Sequence, residues 1–286
     1  MRASTAVFGV SVVAVVLASV ATASQTIAYN ASEVRLQADS TAALVTFRAN
    51  GARGQILAAE AVDALPPTPG RAQVAFSLSR GGHVADRCGP YAGPLLPWLV
   101  VACTASDGSH WALQTWQRRL PNYGGTPTAD RAVWELRLSH WSGPIAVLEI
   151  ELDWAYRRFD HLFGRLTYRG RPVYGFRATP TGVPLDDFGR NIYVDTLDST
   201  YGGGWRRENS FLAHNPGGVF CYGFFPHGSR PQGRGRRYRA TVIGPGVTPD
   251  VMWEGPSPGP YNAARDLVAT ARQRTLFAGD RLCRPR

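Results

Sequence analysis

The sequence contains no lysine: all 31 of its basic residues are arginine. That absence excludes a P-loop, whose lysine reaches the bound phosphates. It excludes lysine Schiff-base chemistry, pyridoxal-phosphate enzymes included. It also excludes the SxxK class of acyl-transfer enzymes. The pattern HExxH is missing too, which removes a further hydrolase signature. No CxxC pair occurs, so neither a zinc ribbon nor a thioredoxin-like centre is expected. The six histidines, at 83, 110, 140, 161, 214 and 227, have no metal-ligand spacing, and no metal or cofactor is expected. Abundant arginine, glycine, alanine and proline without lysine fits GC-rich coding, and a bacterial source is expected.

Long apolar runs are equally scarce. The one that stands out opens the chain, MRASTAVFGVSVVAVVLASVATAS. Arg2 supplies a positive start, Ala6 to Val20 is apolar apart from small residues, and Ala21-Thr22-Ala23 is a small-x-small cleavage site. This is the pattern of a secretory signal peptide over residues 1–23, with a mature chain from Ser24. The run is shorter than the about 20 residues a spanning helix needs. Export to the periplasm or the extracellular space is therefore expected, with no membrane span in the mature form.

Cysteine is rare but even in number: Cys88, Cys103, Cys221 and Cys283. In an exported chain that favours two disulfides. The expected pairs are Cys88–Cys103, closing a Gly/Pro-rich loop, and Cys221–Cys283, pinning the C-terminal tail. In the chain-entropy model they contribute roughly 3 and roughly 4 kcal/mol.

Charge of one sign is in short supply, with 21 acidic residues against the 31 arginines and a net charge of +10. A basic exported protein meets anionic polymers, so a polysaccharide or another anionic envelope polymer is the expected partner and nucleic acid is not.

Most of the chain has the pattern of short strands and tight turns. Hairpins are predicted around Asn50-Gly51, Asp107-Gly108 and Arg169-Gly170. Strands are predicted over 73–78, 134–138, 147–154, 191–196 and 219–225, with 238–243 as the last. After the Pro256 to Pro260 linker, Asn262 is placed to cap a helix over 263–277, with Leu267, Val268 and Ala271 on one side. The fold class is thus mostly β, a β-sandwich or jelly-roll-like set of antiparallel sheets with one C-terminal helix. Residues 24–286 are treated as one domain, with a split near 120–130 as the alternative.

The stretch VLEIELDW (147–154) alternates strictly, so a strand puts Glu149, Glu151 and Asp153 on one face. Carboxylates two residues apart lie about 7 Å from each other, inside the range of roughly 5 to 9.5 Å used in glycoside hydrolysis. The arrangement resembles the catalytic strand of family-16 glycoside hydrolases, which are jelly rolls. Their pattern, E-x-D-x-x-E or E-x-D-x-E, is here E-x-E-x-D, with the last two acid types exchanged and no Trp-Pro-Gly lead-in. The resemblance implies a glycoside hydrolase, and a polysaccharide lyase could use the same carboxylates. The residues alone favour a salt-bridged or solvated face, with Arg137, Arg157 and Arg158 as its neutralising cations.

Two other surfaces stand out. Trp205, Arg206, Arg207 and Asn209 follow three glycines and combine an aromatic plate with polar groups, a common sugar-binding set. Arg230, Arg234, Arg236, Arg237 and Arg239 form a basic loop able to grip phosphates or uronates. Trp134 and Trp154 are predicted to be core residues, and Trp141 to sit exposed in a turn. The leading expectation is non-catalytic binding of a glycan through the Trp205 loop. The alternatives are a hydrolase or lyase on the acidic strand, and a structural envelope protein without a small ligand.

Overall fold

Asn50 and Gly51 both adopt positive φ, 49° and 76°, and the chain reverses on these two residues alone. This is the turn whose twist matches that of the strands it joins. Arg169 and Gly170 repeat it at 49° and 73°. Such turns build antiparallel ladders throughout this computed structural model. It describes residues 24–65, 73–117, 134–157, 159–173, 192–199, 202–207, 211–212, 221–225 and 235–279.

The first nine strands are β1 (Gln25–Tyr29), β2 (Ser32–Ala38), β3 (Ala42–Ala49), β4 (Ala52–Ala59), β5 (Ser77–Arg80), β6 (Gly89–Pro90), β7 (Leu99–Thr104), β8 (His110–Gln117) and β9 (Trp134–Trp141). One sheet runs β1-β9-β8-β7-β6 and faces a second, β2-β3-β4-β5. Val45, Ala58, Trp111, Leu113, Leu136 and Leu138 fill the space between them. The strand expected over 73–78 forms later, at 77–80.

The second half comprises β10 (Val147–Ala155), β11 (Phe159–Tyr168), β12 (Arg171–Pro172), β13 (Ile192–Ser199), β14 (Gly202–Arg207), β15 (Phe211–Leu212), β16 (Cys221–Phe225), β17 (Arg237–Val242) and β18 (Val251–Pro256). Here β10-β11-β16-β15 faces β14-β13-β17-β18, with Leu162, Leu166, Ile192, Val194, Tyr238 and Val242 in the core. The fold is mostly β with several antiparallel sheets and one described helix, as the alternation predicts. The strand expected to be last, β17, is followed by β18.

A buried loop joins β17 to β18. Residues 241–250 are all buried, so their polar groups need internal partners. Asp250 organises them. Its carboxylate accepts from Gly244 N at 3.1 Å and from Trp116 Nε1 at 2.7 Å. Its backbone exchanges two hydrogen bonds with the Gln114 amide, at 2.9 and 3.0 Å. Arg137 reaches it at 3.1 Å and Ser24 Oγ donates to it. Thus Arg137 is fully buried between Glu135 and Asp250, and is not the expected partner of Glu149 or Glu151.

The tryptophans of β9 reverse the expectation. Trp134, at the strand's start, is 44% exposed, whereas Trp141 is fully buried. β9 is an inner strand, between β1 and β8, and both of its faces are covered from residue 135 onwards. Strict alternation then stops distinguishing inside from outside. Trp154 is core, as predicted.

Helix α1 (Ala263–Gly279) starts where the cap predicts, with the Arg265 amide donating to Asn262 Oδ1 at 3.0 Å. Its inward side is Asp266, Ala269 and Gln273, while Leu267 and Val268 are 73% and 61% exposed. The apolar side expected from the sequence therefore faces outward at Leu267 and Val268. The helix docks on polar groups: Thr270 Oγ1 accepts from the Tyr156 amide, and Gln273 meets His161. Among the described residues no helix is long and apolar enough to cross a membrane. Cys88 and Cys103 form a disulfide. Cys283, of the second expected pair, lies outside the described residues, as do residues 1–23, the expected signal peptide.

Candidate functional site

The alternation of β10 sends Leu148, Ile150 and Leu152 towards the core of the second half. Its carboxylates take the other face, and each meets an arginine. Glu149 pairs with Arg165 at 2.5 Å, its directly opposed neighbour on β11. Glu151 pairs with Arg272 at 2.6 Å, and Asp153 with Arg265 at 2.8 Å. Arg265 and Arg272 are two turns apart on α1, so one helix side supplies both cations. The salt-bridged face is present, and its cations among the described residues are Arg165, Arg265 and Arg272, not the expected Arg137 and Arg157. Arg158 lies outside the described residues.

Among the described strands β10 ends its sheet. A cleft of about 980 Å³ runs along that edge. Leu148, Ile150 and Trp253 of β18 line it from the core side, and Val268, Ala271 and Arg272 of α1 from the helix side. Glu149, Glu151, Arg165 and Phe163 also open into it. Gly164 forms part of the lining, and a Cβ there would stand 1.8 Å from the Glu149 carbonyl oxygen. The close approach of β11 to β10 at this point requires glycine. The cleft therefore combines an aromatic plate, aliphatic walls and two carboxylate–guanidinium pairs. That set can stack an apolar ring face while offering both acceptors and donors to hydroxyl groups.

The Trp205 loop makes contacts within the protein. Arg207 is buried and pairs with Asp195 at 2.6 Å, 5.1 Å from the Tyr193 ring centre. It is a structural cation, not a surface contact. Arg239 also pairs with Asp195, at 2.9 Å. Burial pushes the Asp195 carboxyl up, but the charges and hydrogen bonds of Arg207 and Arg239 outweigh this and hold it below the usual range. Trp205 is half-buried against the Arg239 guanidinium, and Arg206 is exposed, donating to the Gly203 carbonyl at 3.1 Å. Asn209, Arg230 and Arg234 lie outside the described residues. Of the basic loop, Arg236 pairs with Asp198 and Arg237 with Glu254. The described arginines of this set are thus already engaged with carboxylates.

Sequence reasoning does not find Trp253, Phe163, Val268 and Ala271 as site residues. The signals it offers are the apolar run Val251-Met252-Trp253 and the apolar pair at 267–268, which the helix leaves uncovered. Among the described residues no cluster of His, Cys, Asp and Glu could hold a metal ion. Comparison with protein families, with curated proteins and with solved structures gives no match.

Proposed function

We propose that this chain is an exported, non-catalytic protein that binds an envelope or extracellular glycan, and that the glycan lies in the cleft along β10. The observation that carries this reading is the meeting of Trp253 with two carboxylate–guanidinium pairs in one open cleft. A sugar ring has an apolar face for the indole and hydroxyl groups for the charged pairs. Each carboxylate is already engaged with a guanidinium, which suits hydrogen bonding to a ligand better than release of a proton to a leaving group. The net charge of +10 favours an acidic polysaccharide. Electrophoresis of the oxidised mature protein through gels carrying a panel of polysaccharides tests the reading. Retardation by at least one acidic polymer is expected, with a loss of about tenfold or more in affinity for Trp253→Ala. Equal mobility in every gel, or full retention by the variant, overturns it.

A second reading has one observation in its favour: Glu149 and Glu151 open into the same cleft. A glycoside hydrolase or lyase on this strand predicts release of reducing or unsaturated ends by the wild type, and none by Glu151→Gln. Binding without release of ends supports the first reading.

A further inference from the structure

The first described residue, Ser24, is fully buried although it stands at the predicted cleavage point. Its hydroxyl donates to Asp250 and accepts from Arg137 Nε at 2.8 Å. Asp250 and Arg137 are themselves completely buried, and the Arg137 guanidinium is divided between the carboxylates of Asp250 and Glu135. Covalent geometry keeps the nitrogen of Ser24 within about 4 Å of its own Oγ, and hence next to this cluster. Ser24 also holds φ at 20°, a value that a residue with a side chain rarely adopts.

We propose that cleavage between Ala23 and Ser24 creates an α-ammonium that serves as a structural cation of the Asp250 cluster. The cleavage itself rests on the export reading, and the role of the amine rests on geometry. Water adds across the peptide bond under an external leader peptidase. The hydroxyl goes to the Ala23 carbonyl carbon and a proton to the Ser24 nitrogen. The new carboxylic acid then ionises, and the amine takes up that proton. The products are a carboxylate on the departing leader and an ammonium on Ser24. Two features of Ser24 then acquire a reason. The buried carboxylates gain a second positive charge, placed by the residue whose hydroxyl is already bonded to Asp250. The unfavourable torsion also disappears, because φ is defined by the carbonyl carbon that hydrolysis removes. An intact bond beside a fully buried residue is inaccessible to a peptidase, so cleavage precedes the closing of this pocket.

The absence of lysine makes the test direct, since the Ser24 α-amine is the sole primary amine of the mature chain. The full-length precursor is secreted from a bacterial host and its N-terminus sequenced. In a separate arm, the mature chain is released in vitro from a fusion by a protease that leaves Ser24 free. Its labelling by an amine-reactive ester is followed against pH by mass spectrometry, folded and in denaturant. A third sample carries one extra glycine before Ser24. Expected are Ser24 as the secreted N-terminus and an amine titrating at least about one unit above the ordinary 7.7 to 8.0. Labelling near neutral pH should then be at least about tenfold slower than in the unfolded chain, and the added glycine should lower the melting temperature. Cleavage at another bond, or none, overturns the processing step and with it the proposal. Labelling of the folded chain at the unfolded rate overturns the role of the amine whatever the secreted arm shows, and that result is obtained even if the extended variant does not fold.

Discussion

Trp98 and Trp205 share one guanidinium: the central carbon of Arg239 is 4.5 Å from the first ring centre and 4.3 Å from the second. The contact gives Trp205 a partner within the protein. Trp205→Ala is therefore expected to lower stability by about 0.5–2 kcal/mol while leaving polysaccharide retention unchanged. Urea unfolding and affinity electrophoresis on the same variant check both halves. Lost retention with unchanged stability would return the binding role to this loop.

The pairing of Glu151 with Arg272 is a surface interaction, with both side chains about half exposed. Glu151→Gln is expected to cost no more than about 1 kcal/mol, and less at high salt. Thermal melts at two ionic strengths measure it. This small cost is what makes the variant useful in the assays of the cleft.

The Asp250 cluster behaves differently. Asp250→Ala removes the acceptor for Arg137, Trp116 and the Gly244 amide, all in the interior. Breaking a buried ion pair on one side costs about 3–5 kcal/mol. Chemical denaturation should show that loss, and an unaltered midpoint would remove Asp250 from its central place in the fold.

Two buried groups give stability opposite dependences on pH. Loss of hydration pushes the His161 imidazole down to about 3, against the opposing hydrogen bond of Gln273. Between pH 6.5 and 3 the unfolded chain binds a proton there that the folded chain does not, so stability falls as pH drops through that window. Burial raises the Asp160 carboxyl to about 6, against the Tyr238 hydrogen bond that lowers it. The folded state there keeps a proton the unfolded chain has released, so stability rises as pH falls from about 6 towards 3.8. The His161 window is the wider, and these two groups together weaken the fold in acid. His161→Asn should flatten the fall in melting temperature between pH 6.5 and 4, and Asp160→Asn should steepen it. Identical slopes for all three proteins would rule out both assignments.

Cys88 and Cys103 close a loop with a sequence separation of 15. The paired substitution Cys88→Ser with Cys103→Ser is expected to lower stability by about 3 kcal/mol, chiefly by freeing the unfolded chain. The shift in urea midpoint at constant slope is the measurement.

Features set by local chemistry were legible in the sequence. Asn50-Gly51 and Arg169-Gly170 turn where predicted because the turn needs only two residues able to take positive φ. The Asn262 cap and the alternation of 147–154 are equally local. What was missed depends on which surface lies opposite. Arg137 has the parity of a solvent-facing residue, yet the loop at 241–250 covers that face. Leu267 and Val268 share one apolar side of the helix, but α1 settles on arginine–carboxylate pairs and a buried histidine. The cleft escaped notice for the same reason. Its walls come from β10, β11, β18 and α1, and no single stretch of sequence carries the pattern.

The union of Ser24 with Asp250 spans 226 positions of the chain. A ribosome delivers Ser24, Gln114 and Arg137 long before it delivers the residue on which all three converge. The first sandwich therefore cannot finish its interior while the chain is still emerging. Closing it requires a contact of very long range, which makes folding slow. On the export reading proposed above, this pocket closes only after residue 250 has followed Ser24 across the membrane.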